Sequence, residues 1–287
     1  MLNRHNVIYI DFSVLPDPCD NYRQHIDFVK MKLFLDIKEY YNVEKVPSLP
    51  INDYLIKTKD TFIFILDEWD SIFHKEFMTE KNKKEYLEFL QGLLKNKPYV
   101  ELAYMTGVQP IAKYSSDSQL NMFIEHNVLN DSLYDDYFGF NEEEVKKLCI
   151  QHNKPTYEEL KFWYDGYQKK DGSSIFNPRS IRCAFRLGEC QNFWTETGPM
   201  NEVSSCIEHN VYAVREDIVN MVAGQSIKVK LKGFSPIESQ LMTRNEILTA
   251  MVIYGFLSYH NGELRIPNRE IMEEFEYTLH IGRRIDA

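Results

Sequence analysis

The sequence lacks a long hydrophobic run. None of its 287 residues belongs to a stretch that approaches the roughly 20 apolar residues of a membrane-spanning helix. The amino-terminal segment, MLNRHNVIYIDFS, is basic and then apolar, but its apolar part is too short for a signal peptide and is interrupted by Asp11. We therefore expect a cytoplasmic protein without a membrane partner.

The sequence also lacks an excess of positive charge and paired cysteines. The net charge of −10 argues against a broad nucleic-acid-binding face, although it leaves room for a local patch. The five cysteines are odd in number and form no CxxC pair, which favours reduced thiols. Two Cys-x-x-His pairs, Cys149 with His152 and Cys206 with His209, leave a zinc site open, but their separation is unlike that of a zinc finger.

The most informative stretch present is TFIFILDEWDS, which spans residues 61–71. Its continuous apolar run predicts a buried parallel strand, and the acidic residues Asp67, Glu68 and Asp70 follow at once. In open α/β sheets, functional sites lie at the carboxyl ends of the strands. A strand that delivers Asp-Glu there fits the Walker B pattern, in which the Asp holds Mg²⁺ and the Glu orients the attacking water.

Two other interpretations of this acidic cluster remain open. Asp67 could cap the helix that follows, with Glu68 and Asp70 near its amino terminus, where negative charge is favoured. A metal-dependent nuclease could use the same three carboxylates, although nucleases usually gather such groups from several elements with a lysine nearby.

Hydrophobic periodicity predicts an α/β fold for the first part of the chain. Strands are expected at Val7–Phe12 and Tyr99–Thr106, on either side of the acidic stretch, and helices at Tyr22–Tyr41 and Glu80–Lys97. Alternating strands and helices indicate a parallel sheet with covering helices. Thr106 ends the third strand, where it could sense a γ-phosphate or satisfy strand-end backbone groups.

The rest of the chain is predicted to be mostly helical. Asn141 with Glu144 suggests a capping box, and GFLSYHNGELR suggests a hairpin that turns at Asn261-Gly262. Helices are expected at Thr156–Trp163, Glu202–Val222, Arg244–Tyr254 and Arg269–Leu279. We expect three regions: an α/β core at 1–140, a helical lid-like region at 141–200 and a helical, winged-helix-like region at 201–287.

Several motifs occur in a specific order: FILDEWDS, YMTGVQPIAKYS, YFGFNEEEV, WYDGY, IFNPRSI, FWTETG and RIPNREIMEEF. Together they resemble the predicted AAA-ATPase-like family of bacteria and archaea, whose members often carry a carboxyl-terminal PD-(D/E)XK nuclease-like domain. The resemblance implies a P-loop NTPase core that uses ATP and Mg²⁺. It implies that Asp67 binds the metal and nucleotide, that Glu68 is the catalytic base and that Thr106 senses phosphate.

Two departures from the family pattern change the expected activity. The chain contains no G-x-x-x-x-G-K-S/T loop to cradle phosphates, and nothing in it resembles the nuclease motif. We therefore expect a truncated core whose incomplete sheet has a gap or an exposed edge, and little or no ATP hydrolysis by this chain alone. The alternative is a nucleotide-free interaction module that binds a protein partner or itself, with nucleic acid reached only through the absent nuclease-like domain.

Other family-like residues suggest weaker roles. The segment from Trp163 to Tyr167 could form a lid or a partner-facing turn, or be aromatic packing around Gly166. Arg179 stands where the family commonly has an aromatic residue. Arg182 or Arg186, on the helix that follows, could act as an arginine finger or as sensor 2.

Overall fold

The structure is a computed structural model that describes residues 4–41, 49–108, 111, 120–127, 133–194, 214–231 and 243–285, with side chains as far as residue 279. The chain forms two compact units, residues 1–125 and 126–287. The three-region division expected from the sequence stays a prediction.

The first unit is built on a three-stranded parallel sheet with strand order β1-β2-β3. Its elements are β1 Asn6–Asp11, α1 Tyr22–Tyr41, α2 Ile51–Thr58, β2 Phe62–Asp67, α3 Glu80–Leu94 and β3 Val100–Met105. The predicted alternation of strands and helices is confirmed. Helix α2 was not predicted, and α3 ends at Leu94 instead of Lys97 because Lys95 is extended and Asn96 has a left-handed backbone with φ of 56°.

One face of this sheet is covered and the other is exposed. Phe62, Phe64 and Leu66 of β2 are buried among the apolar stripes of α1 and α3. On the opposite face, the strand register forms two apolar rows that run across β1, β2 and β3. The first row is Val7, Ile63 and Leu102. The second row is Tyr9, Ile65 and Tyr104. The outer residues of both rows, Val7, Leu102, Tyr9 and Tyr104, are each more than half exposed. Parallel sheets are normally covered on both faces, so this uncovered face is unusual.

The second unit contains short strands and helices around two small antiparallel sheets, β4-β6-β5 and β7-β9-β8. Its first elements are β4 Phe140–Asn141, α4 Glu142–Gln151, α5 Tyr157–Tyr164, β5 Tyr167–Gln168, β6 Ser174–Phe176 and α6 Pro178–Leu187. The others are α7 Val214–Val222, β7 Ile227–Lys228, α8 Arg244–Ile253, β8 Ser258–His260, β9 Glu263–Arg265 and α9 Arg269–Ile285.

Several of these helix and turn boundaries were predicted correctly from local sequence patterns. Asn141 and Glu144 form the predicted capping box, and Thr156 forms another with Glu159. The predicted hairpin turns at Asn261 and Gly262, which both have positive φ. Sheet β4-β6-β5 was missed because strands of two or three residues show no readable alternation.

Two further observations complete the description of the helices. Of the helix predicted at 202–222, the structure describes only Val214–Val222, and the rest lies outside the described residues. Within the described part of the chain, no helix is both long enough and apolar enough to cross a membrane.

Candidate functional site

The polar residues singled out in the sequence meet at the carboxyl ends of the three parallel strands. Asp11 and Asp67 lie side by side in the register of β1 and β2. Thr106 directly follows β3, and its backbone N–H donates to the Leu66 carbonyl over 2.8 Å. Because parallel strands end at the same edge of a sheet, these side chains share one surface.

Asp67 is the centre of this surface. Its Oδ1 accepts hydrogen bonds from the Thr106 hydroxyl and, over 3.2 Å, from the Glu68 backbone N–H, while its Oδ2 accepts from the Tyr9 hydroxyl over 2.8 Å. The hydroxyl of Thr106, and then that of Tyr9, lowers the pKa of Asp67 below its ordinary value. The carboxylate is therefore ionised at neutral pH. Its hydrogen-bond partners among the described residues are Thr106, Tyr9 and Glu68, none of which begins a helix, so Asp67 does not act as a helix cap there.

Glu68 follows in an uncommon backbone conformation. Its φ of 51° lies in the left-handed region, which non-glycine residues enter rarely and where strained residues often belong to functional sites. Partial burial raises the pKa of Glu68, and the negative charges of Asp70, Asp67 and Asp11 raise it further. Glu68 is thus an exposed carboxylate with increased proton affinity next to an ionised one.

Asp70 does not join this pair. Its side chain is only 1% exposed, and its Oδ1 accepts from the Val108 backbone N–H over 3.2 Å. The loop after β3 passes so close that a Cβ atom on Gly107 would lie 2.5 Å from the same oxygen. Asp70 therefore anchors that loop to the end of β2 and does not complete the three-carboxylate cluster that a nuclease would use.

The geometry of Asp67 fits Mg²⁺ bound through a single carboxylate. An ionised carboxylate has about four acceptor positions, and the three hydrogen bonds to Asp67 leave one of them, on Oδ2. Mg²⁺ is usually held by one or two carboxylates together with waters and substrate phosphates. The described residues contain no group of three or more His, Cys, Asp and Glu side chains able to hold a metal.

The possible zinc site has no support among the described residues. Cys149 and His152 lie at the end of α4, where the His152 ring packs 4.8 Å from the Phe185 ring. Burial raises the pKa of the Cys149 thiol, which disfavours the thiolate that zinc binds. Cys206 and His209 lie outside the described residues.

The aromatic WYDGY segment is packed inside the second unit. Tyr164 is fully buried and donates its hydroxyl to the Gln191 carbonyl over 2.9 Å, and the Tyr167 hydroxyl donates to the Gly255 carbonyl. These two rings therefore have structural partners. A lid role for the segment stays a prediction.

The arginines near α6 differ in their surroundings. The Arg179 guanidinium donates to the Phe193 carbonyl, whereas Arg182 and Arg186 are exposed on α6. Their proposed roles as an arginine finger or sensor 2 stay predictions.

Two notable residues were missed in the sequence. Tyr9 contacts Asp67 because strand register places it level with Ile65, on the face from which Asp67 projects. Glu270 is a fully buried carboxylate in the second unit, and its position at the start of α9 resembles an ordinary exposed first-turn glutamate. The alternation of residues along β1 indicates the sheet face on which Tyr9 lies. It does not indicate the register that sets Tyr9 opposite Ile65 of β2.

Comparisons with known proteins leave the family open. No protein-family model and no curated protein matches the sequence. The ORC2 protein of Aeropyrum pernix, solved in ADPNP–ADP complexes, is a structural neighbour with 11% identity and a TM-score of 0.37. The match covers 99% of this chain and 80% of the ORC2 chain. The Walker-type ATPase PABY2304 of Pyrococcus abyssi is a second structural neighbour, with 13% identity and a TM-score of 0.43. That match covers 96% of this chain and 85% of the ATPase chain. TM-scores below 0.5 do not establish a common fold, so the α/β class rests on the parallel strands of the first unit.

Proposed function

We propose that this chain is an AAA-ATPase-like protein whose nucleotide site lies at the carboxyl ends of β1, β2 and β3. The hydrogen bond from the Thr106 hydroxyl to Asp67 is the observation that carries this proposal. It joins the ends of two neighbouring parallel strands, where a Walker B aspartate and a phosphate-sensing residue are expected to meet. The Asp-Glu pair after a buried strand supplies the remaining chemistry.

Each residue has a distinct role in this proposal. Asp67 would hold Mg²⁺ through the acceptor position left on its Oδ2, and the ion would neutralise phosphate charge. Glu68 would accept a proton from the attacking water, a role that its raised pKa assists. Thr106 would link the position of the γ-phosphate to Asp67 through its hydroxyl.

The chain lacks one part of this site. Its 287 residues contain no G-x-x-x-x-G-K-S/T loop, whose backbone N–H groups and lysine would cradle the phosphates. We therefore propose that nucleotide binding requires a phosphate loop from outside these residues, and that this chain alone hydrolyses little or no ATP. The nuclease-like domain of the family and the winged-helix-like character of residues 201–287 also stay proposals.

A turnover assay tests these roles. ATP hydrolysis would be measured for this chain and for a version extended by the sequence encoded upstream. We expect turnover only from the extended protein, a loss of about 100-fold or more for Glu68→Gln, and no change for the matched exposed control Glu76→Gln. Glu68-dependent turnover by the short chain would contradict the proposed need for a phosphate loop, and full activity of the extended Glu68→Gln variant would contradict the role of Glu68.

The second candidate function is a nucleotide-free interaction module. It is favoured by the uncovered sheet face that carries Val7, Tyr9, Leu102 and Tyr104, since exposed apolar patches often mark partner surfaces. Light scattering across a range of concentrations tests self-association through this face. Association that is lost in Leu102→Glu and kept in the exposed control Ile150→Glu would support the module, and a monomer at all concentrations would count against self-association.

A further inference from the structure

The second unit contains a preformed apolar cavity of about 160 Å³. It opens to the surface and is lined by strands β5, β6 and β8, the end of α8 and the start of α6. Its aromatic lining residues are Phe138, Tyr167, Phe176, Trp194 and Tyr259. None of the described residues that line the cavity is charged, so this part of the wall offers no group that would pair with an ionised ligand.

The aromatic walls are held in place by contacts outside the cavity. The Tyr167 hydroxyl donates to the Gly255 carbonyl, and the Trp194 ring meets the Phe256 ring edge-on at 6.0 Å. Gly255 has φ of +80°, and a Cβ atom there would lie 2.9 Å from Cη2 of Trp194. Glycine is therefore needed at this position for the Trp194 indole to pack directly against the backbone.

Several polar groups in the wall are already engaged within the protein. The Asn177 side chain accepts from the backbone N–H groups of Arg179 and Ser180 over 2.9 and 3.3 Å. The Tyr259 hydroxyl is directed at the Val229 carbonyl at 3.4 Å. These groups and Tyr167 have internal partners, whereas Gln168 and Ser258 add two further polar side chains to a wall that is otherwise mainly apolar.

We propose that this cavity binds one neutral aromatic ring. An apolar cavity of about 150 Å³ can hold a benzene molecule, and the volume here is of that size. Aromatic side chains at several angles provide the edge-to-face and offset contacts that ring pairs prefer. Phe138, which is 39% exposed, places the entrance at the surface. The site is independent of the proposed nucleotide site.

A fluorine NMR titration of the full chain with fluorobenzene tests the proposal directly. We expect saturable binding, with intermolecular NOEs between the ring and the indole of Trp194. Two variants that fill the cavity, Gln168→Phe and Ser258→Leu, should each weaken binding by about tenfold or more. Phe162→Ser, which removes an exposed aromatic ring outside the lining, should leave the affinity unchanged.

Further probes define the chemistry and the source of the ligand. The charged analogue 4-fluorobenzoate should not bind, because no lining residue that the structure describes is cationic. N-acetyl-4-fluorophenylalanine amide shows whether the ring is accepted from a peptide side chain or only as a free small molecule.

Thermal melts identify which filling variants are folded, and the NOEs locate the ring in the unsubstituted protein. Absence of saturable fluorobenzene binding, unchanged binding by a folded filling variant, or equal binding of 4-fluorobenzoate would overturn the proposal.

Discussion

Asp67 in the first unit and Glu270 in the second are carboxylates with similar hydrogen-bond partners. Asp67 accepts from the Thr106 hydroxyl and from a backbone N–H. Both oxygens of Glu270 accept from the Ser180 hydroxyl, over 3.1 and 2.9 Å, and Oε1 also accepts from the Phe193 N–H over 2.8 Å. Yet the pKa of Asp67 is lowered, whereas that of Glu270 is raised to about 7.

Burial accounts for the difference between the two carboxylates. Asp67 lies at an open strand end, where donors stabilise its charge at little desolvation cost. Glu270 is 0% exposed, and its desolvation outweighs the Phe193 N–H, the Ser180 hydroxyl and the positive charge of Arg179. Thus Asp67 is suited to hold a cation. Glu270, in contrast, links α9 by hydrogen bonds to Ser180 of α6 and to the backbone N–H of Phe193.

The largest effect should come from the pH dependence of Glu270. Its folded pKa of about 7 lies above the ordinary value of 4.5, so the unfolded chain releases its proton first and stability falls as pH rises through this window. Between pH 5 and pH 8 the free energy of unfolding should fall by about 2–3 kcal/mol more in the unsubstituted protein than in Glu270→Gln. Urea denaturation followed by near-UV circular dichroism measures this difference. Parallel pH profiles of the two proteins would show that Glu270 has an ordinary pKa.

Ser180→Ala should have the next largest effect. The substitution removes the hydroxyl that serves both oxygens of a buried carboxylate, and such bonds contribute about 1.5–3 kcal/mol. We expect a loss of about 2 kcal/mol at pH 8 and a smaller loss at pH 5, where Glu270 is protonated. Ser173→Ala is the matched control, since the Ser173 hydroxyl binds Asp171 at an exposed turn. Equal losses from the two substitutions would contradict the role of burial.

Thr106→Val should have a smaller effect, because Asp67 is partly solvated. We expect a loss of about 1 kcal/mol at pH 7. Since the folded pKa of Asp67 is lowered, this stabilisation is present above the ordinary pKa and is lost as pH falls through the folded value. NMR titration of the Asp67 carboxyl carbon should show a higher pKa in the variant. Thr61→Val, which removes an exposed hydroxyl bonded to Glu101, should leave the pKa of Asp67 unchanged.

Tyr9→Phe should have the smallest effect on stability, since the Tyr9 side chain is exposed. The same titration should show a rise in the pKa of Asp67 that is smaller than in Thr106→Val, because Tyr9 is the second cause of the lowered value. A larger rise than in Thr106→Val would reverse the assigned order of the two hydroxyl donors.

The parallel sheet was predictable because its signals are local. The run from Phe62 to Leu66 and the acidic residues after it indicate both the strand and the place where chemistry would occur. The neighbouring strands and helices α1 and α3 follow from periodicity, and the parallel order that they predict puts Asp67 and Thr106 at the same edge.

The remaining features depend on contacts between distant residues. Ser180 and Glu270 are 90 positions apart, and neither residue type indicates a buried pair. The contact of Tyr9 with Asp67 depends on strand register, and the aromatic cavity depends on where two very short sheets lie. The uncovered face follows from the three-dimensional packing around β1 and β3, which sequence periodicity does not specify.

Calorimetric titration with MgATP tests the proposed nucleotide site most directly. The short chain would be compared with the version extended upstream, and with the extended version carrying Asp67→Asn. We expect no binding by the short chain, micromolar binding by the extended chain and much weaker binding by its Asp67→Asn variant. Micromolar binding by the short chain would show that its phosphate cradle lies within these 287 residues, and failure of the extended chain to bind would contradict the nucleotide site itself.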